Sequence, residues 1–130
     1  MLEGGCFCGF VRYRADAAPF QETSCHCSIC RRTSGAPYVA WFSVPANAFR
    51  FTAGEPASLR SSEHATRRFC PRCGTPLTFQ SSRLPDEIDV TTCSLDDPDR
   101  IPPRDHTHTR SKLAWVELGD RLPTYPEARS

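Results

Sequence analysis

The sequence predicts a mainly β fold, a small domain of short antiparallel strands. Three observations lead there. Twelve prolines and seven glycines among 130 residues cut the chain into short pieces joined by turns. The pieces between the breaks are rich in β-branched and aromatic residues, which suit a pleated surface better than a helix. Hydrophobic residues make up only 38%, so the core is thin, while seven of the eight cysteines fall into three tight clusters that offer metal cross-links as a second source of stability.

Taken in order, residues 4–9 (Gly-Gly-Cys-Phe-Cys-Gly) read as a tight turn in which glycine permits close approach of backbone to sulfur. Residues 10–14 follow as a strand, with Phe10 and Arg12 on the face opposite Val11 and Tyr13. Residues 15–23 read as a loop. Residues 24–32 form a second cysteine-bearing turn that opens a short helical turn, broken at Ser34-Gly35-Ala36-Pro37. Residues 38–44 are the strongest strand signal in the chain, ended by Pro45. Strands are also expected at 49–52, 57–61 and 65–69, with a turn at Gly54-Glu55-Pro56. Residues 70–74 have the form of a zinc-ribbon knuckle, whose backbone amides donate to thiolates. Residues 77–80 and 87–93 are further strands, 98–103 is loop, 113–116 is a last apolar stretch, and 119–130 is an irregular tail. No repeat or second domain is visible, so residues 1–130 read as one domain with its core at about 4–118.

The formal net charge of +1 gives no electrostatic case for nucleic acid or an anionic membrane, and no run approaches the ~20 apolar residues of a membrane span. The N-terminus lacks the charged start and apolar run of a signal peptide. A cytoplasmic location is therefore expected, where thiols stay reduced. That argues against disulfides, as does the C-x-C spacing, whose two cysteines do not readily bridge each other.

The clusters are Cys6-x-Cys8, Cys25-x-Cys27-x-x-Cys30 and Cys70-x-x-Cys73. Short-turn thiolates of this kind are parts of tetrahedral zinc shells. Two pairs make one closed four-thiolate site, and the triad is left with a free coordination position. Closed sites hold folds together and open ones do chemistry. Spacing alone does not say which pairs combine, and it leaves Cys93, His26, His106 and His108 as possible fourth ligands for the triad. Cys93 is expected to be a buried core residue. His26, flanked by two ligands, is expected to point away from the metal and shape the turn.

The order of these motifs adds further information. Gly4-Gly5-Cys6-x-Cys8-Gly9 is followed by Cys25-His26-Cys27-x-x-Cys30-Arg31, then Phe69-Cys70-x-x-Cys73-Gly74-Thr75, then Ser94-Leu95-Asp96-Asp97-Pro98. Pro103-x-x-His106, Ser111 and Trp115 come after them. From about Gly4 to Trp115 the chain resembles the glutathione-dependent formaldehyde-activating enzyme family, which includes centromere protein V. The resemblance implies a zinc-bound β-tent fold with two zincs per chain. Carried over by position, Cys6, Cys8, Cys70 and Cys73 hold a structural zinc, and Cys25, Cys27 and Cys30 hold a catalytic one. It implies addition of glutathione to formaldehyde, giving S-hydroxymethylglutathione, a carbon–sulfur lyase reaction. Two departures touch the implied pocket rim: Thr107 stands where an apolar residue is common, and Ala114 where proline is frequent.

Glutathione carries two carboxylates and an amine. Arg31, Arg32, Arg67, Arg68 and Arg72 lie beside the clusters and can pair with the carboxylates, the alternative being solvated surface charge. Asp96 and Asp97 are candidates for the amine or for capping a turn. His106 is expected to line the pocket, and Trp41 and Trp115 to be core or pocket wall. The alternative to a thiol-and-aldehyde enzyme is a non-enzymatic zinc-binding interaction module, which a closed triad site would favour. A third reading is a thiol redox or metal-storage protein. The sequence leaves the oligomeric state open.

Overall fold

The computed structural model describes residues 1–129. Ten strands and one short helix follow one another as β1 (Leu2–Gly5), β2 (Arg12–Ala15), β3 (Phe20–Cys25), α1 (Ser28–Ser34), β4 (Val39–Pro45), β5 (Phe49–Ala53), β6 (Ala57–Arg60), β7 (Ala65–Phe69), β8 (Pro76–Ser81), β9 (Glu87–Thr91) and β10 (Asp105–Thr107). They form a three-stranded sheet, β1-β2-β5, and a seven-stranded sheet, β10-β3-β4-β9-β8-β7-β6. Every named pairing is antiparallel except that of β10 with β3. The expected mainly β architecture of short antiparallel strands is the observed one. Among the described residues no helix is long and apolar enough to cross a membrane.

The core lies where the small sheet meets the large one. Val11, just before β2, and Tyr13 and Ala15 on it turn inward, and Phe42, Val44, Leu77, Ile88 and Val90 meet them from β4, β8 and β9. Alternation along residues 10–14 thus has the predicted sense, with Val11 and Tyr13 buried and Arg12 outward. Tyr13 keeps its hydroxyl satisfied within this core by a 2.7 Å hydrogen bond with Ser94 Oγ.

Four local expectations are corrected. Residues 2–5, half of which the glycine pair predicts to be turn, pair with β2 as a strand, because Leu2 is buried and anchors that edge. Residues 20–23 are not loop but the first part of β3; their outward face is polar, which hides the strand period. The 87–93 strand stops at Thr91, and a 3-10 turn over Thr92–Ser94 swings Cys93 into solvent, so Cys93 is not a core residue. Trp115 is 71% exposed and is neither core nor pocket wall.

Gly54 closes the turn between β5 and β6 at φ +70°, and a Cβ there would overlap the Phe10 carbonyl. Gly54→Ala meets both penalties, a left-handed backbone and a backbone clash. Its expected cost is about 2–4 kcal/mol, read as a lowered melting temperature.

Candidate functional site

The two cysteine pairs converge from the ends of two strands. Cys6 follows β1, and Cys70 and Cys73 occupy the knuckle between β7 and β8. The four sulfurs of Cys6, Cys8, Cys70 and Cys73 all lie within 4.8 Å of one another, so this cluster can hold a metal ion. The knuckle geometry is the expected one: the amides of Arg72 and Cys73 donate to Cys70 Sγ at 3.3 and 3.4 Å, and that of Val11 donates to Cys6 Sγ at 3.3 Å. Thr75 Oγ1 accepts from the Phe7 amide at 3.1 Å and lies 3.2 Å from Cys73 Sγ, tying one turn to the other. Its hydroxyl and amide draw the Cys73 thiol down to about 5. Such donors stabilise thiolate, the form a metal needs.

The triad is assembled differently. Cys25 ends β3, Cys27 is the N-cap of α1, and Cys30 lies in its first turn. A helix needs an acceptor for its first free amides, and Cys27 Sγ supplies one by accepting from Cys30 N–H at 3.3 Å. The three sulfurs lie within 4.8 Å of one another. Crowding separates their acidities. Hydrogen bonding to Cys27 and Cys30, with burial, pushes the Cys25 thiol up, and the same sharing with Cys25 and Cys30 draws Cys27 down, so Cys27 ionises first. Among the described residues no His, Asp, Glu or fourth Cys joins this group.

The triad opens on a cavity of about 480 Å³, within the range of small-molecule sites. Trp41, Arg67 and Phe79 form one wall, and Thr107, His108 and Arg129 contribute to another. Arg67 is the only one of the five flanking arginines that lines this cavity. Its guanidinium stacks over Phe79 and Trp41 at 4.9 and 5.9 Å and places Nη2 3.7 Å and Nη1 3.8 Å from Cys30 Sγ. A buried cation facing the sulfurs offsets the negative charge that three thiolates accumulate. The other arginines face elsewhere: Arg31 donates to the Ser111 carbonyl, Arg68 to Gln80, and Arg72 stacks 3.8 Å over Phe10. Asp96 is held in an exposed two-pronged pair by Arg12, and Asp97 makes no capping bond at the turn it precedes. Neither aspartate lines the cavity.

Behind the triad, β10 lies parallel to β3 and sets His106 beside Ser24. His26 Nε2 meets His106 Nδ1 at 3.0 Å, and His106 Nε2 meets Asp120 Oδ2 at 2.8 Å. His26 is fully buried under Tyr38, with ring centroids 4.7 Å apart. Burial, then the neighbouring His106, holds the His26 ring below its ordinary pKa, so it stays neutral. His26 points away from the sulfurs, as expected, and braces the turn that carries Cys25 and Cys27. His106, expected to line the pocket, is instead buried behind the site, and it is His108 that lines the cavity. Asp120 was missed by sequence reasoning, its only signal being a lone acid in a tail without periodicity.

Asp89 was missed as well. It lines the cavity from β9, opposite Ser43 on β4, and Ser43 Oγ donates to its Oδ1 at 2.5 Å. Burial raises its carboxyl to about 6, with Glu87 pushing the same way and Ser43 and Arg67 opposing. A carboxyl with its pKa raised on folding costs stability once pH passes through the folded value, because the unfolded chain ionises more easily. Asp89→Asn is therefore expected to stabilise the fold at pH 7.5 by about 2 kcal/mol and to have little effect below pH 4. Denaturant melts of both proteins at the two pH values check this.

A family model described as glutathione-dependent formaldehyde-activating enzyme matches residues 1–111, a span that holds both cysteine groups. A protein of Halomonas elongata, provisionally named a glutathione-dependent formaldehyde-activating enzyme, is 33% identical over 130 aligned residues, covering 93% of this chain and 83% of that protein. An uncharacterized lyase of Schizosaccharomyces pombe is 33% identical over 79 residues, covering 59% of this chain and 56% of that protein. The crystal structure of a Rhodobacter sphaeroides protein shares the fold at a TM-score of 0.62 and 20% identity, covering 95% of this chain and 98% of that one. With its motifs in family order and its cysteines gathered as the motifs require, the chain belongs to the glutathione-dependent formaldehyde-activating enzyme family.

Proposed function

We propose that this protein adds a small thiol, glutathione or one like it, to formaldehyde or another small aldehyde, as a zinc-dependent carbon–sulfur lyase. The observation that carries the reading is the contrast between the clusters. Four sulfurs can complete one shell, while three face a cavity with no fourth protein donor beside them among the described residues. Soft thiolates in this number suit zinc at both places, one structural and one catalytic. Cys25, Cys27 and Cys30 would hold the catalytic zinc, which would favour an ionised substrate thiol near neutral pH.

The chain's own residues do the rest. Arg67 holds the thiolate cluster together electrostatically. Trp41 and Phe79 wall the approach and limit water, which orients two small reactants. In the addition, the substrate sulfur forms a bond to the carbonyl carbon, the π pair moves to oxygen, and that oxygen takes the proton the thiol gave up. No group leaves. In this reading residues 1–130 act as one domain, in the cytoplasm, where clustered thiols are kept reduced.

Zinc per chain, measured before and after a mild chelator, is the first test. Two zincs, one of them removed with the fold intact, are expected. Formation of the S-hydroxymethyl adduct above its uncatalysed rate, followed by NMR, should vanish with the labile zinc. Two zincs that both resist removal, or adduct formation indifferent to zinc loss, would overturn the proposal in favour of a binding module.

A further inference from the structure

The cavity extends well beyond the sulfurs. Cys25 lies opposite Val39 on β4, and Trp41 and Ser43 follow on the same face of that strand, both lining the cavity. Four residues of strand separate Val39 from Ser43, about 13 Å at the usual rise. At this far end Gln21, Ser43 and Asp89 come together.

Their hydrogen-bonding capacity is unbalanced. Ser43 Oγ lies 2.8 Å from Gln21 Oε1 and 2.5 Å from Asp89 Oδ1. A hydroxyl has one hydrogen, so with the Gln21 amide in this orientation it can donate to only one of the two oxygens. Asp89 makes no ion pair among the described residues. The cations that line the cavity are committed elsewhere, Arg67 to Cys30, Thr33 and Ser61, and Arg129 to Asp105. Glu87 adds negative charge nearby. Gln21 reaches this cluster from a β-bulge, with its backbone at φ +53°, a left-handed conformation that non-glycine residues seldom adopt. A partly buried carboxylate, acceptor oxygens and a strained residue facing one cavity call for a donor-rich cation. A primary ammonium brings one positive charge and three N–H groups.

We propose that Asp89, with Ser43 and Gln21, is the subsite for the ammonium group of the substrate thiol. It selects γ-glutamyl thiols over thiols that lack a free amine. The inference rests on the thiol-binding reading of the triad. It moves the amine from Asp96 and Asp97, which lie outside the cavity, to an acid inside it. The lengths agree: eight bonds separate sulfur from amine nitrogen in a γ-glutamyl cysteine, about 10 Å when extended.

Titration calorimetry on the full chain loaded with zinc tests it, with glutathione and with glutaryl-cysteinylglycine, which has the same skeleton without the amine. Wild type should bind glutathione more tightly by roughly tenfold or more, the worth of a charge-assisted hydrogen bond. Asp89→Asn should remove that preference by weakening glutathione alone. Equal binding of both thiols by wild type, or equal weakening of both by Asp89→Asn, overturns the subsite and leaves the thiol reading standing. Wild type binding neither thiol overturns both. The comparison of thiols on wild type needs no variant to fold.

Discussion

Cys70→Ser is expected to abolish the folded state. Cys70 is fully buried, and its sulfur accepts two backbone amides while completing the four-thiolate cluster. That cluster joins the turn after β1 to the knuckle between β7 and β8, so a metal there closes a loop of more than sixty residues and ties the small sheet to the large one. Structural zinc in small domains contributes an apparent ~10–16 kcal/mol at neutral pH, as much as or more than the ~5–15 kcal/mol by which a domain is stable. Serine is a far weaker ligand, and the three remaining thiolates repel one another without the metal. The expected result is no cooperative melting transition and no retained zinc, seen by circular dichroism and metal analysis. A Cys70→Ser protein melting within a few degrees of wild type would show that the cluster is not what holds the sheets together.

Cys27→Ser should do the opposite, losing activity while keeping the fold. Cys27 caps α1 by accepting from Cys30 N–H, and serine is among the best residues for that task. The helix therefore keeps its start, and Cys25 and Cys30 keep their places on β3 and α1. The loss falls on the metal position, where the thiol that ionises first is gone. Adduct formation should drop to the uncatalysed background, a loss greater than the ~10–100-fold typical of removing a mere supporting partner of a ligand. The variant should retain one zinc and a melting temperature near that of wild type. Unfolding in both variants would end the division between a structural and a catalytic cluster.

The parts legible in the sequence were those with strong local chemistry. The strand signals at 38–44 and 87–93 match β4 and most of β9 because Trp41, Phe42, Val44, Ile88 and Val90 are buried in central strands with neighbours on both sides. The knuckle at Cys70 is determined by four residues and a glycine at φ +82°. What escaped was set by distant partners. β3 looks like loop because it gives one face to a cavity, where Gln21 and Thr23 serve a site and not a core. β10 is three residues long and exists because β3 offers it an edge. Asp89 sits in a strand that reads as ordinary alternation. Only the fold reveals that its outward side faces a cavity shared with the sulfurs. The same holds for Asp120, fifteen residues beyond β10's first residue and invisible as a partner until the tail is laid against His106.

That tail has a consequence for the order in which the protein becomes functional. Backbone hydrogen bonds link His106 to Pro123 and Tyr125, and Arg129 clasps Asp105 while lining the cavity. All four ligands of the closed cluster are present once synthesis has passed Cys73, and the three of the open one once it has passed Cys30. Thr107, His108 and Arg129, which contribute a further wall of the cavity, follow all seven of these cysteines in the chain. A nascent chain can thus hold exposed, metal-competent thiols for the time needed to translate about a hundred further residues. Over that interval they are open to oxidation, and β10 with the tail that pairs with it completes the cavity around the triad.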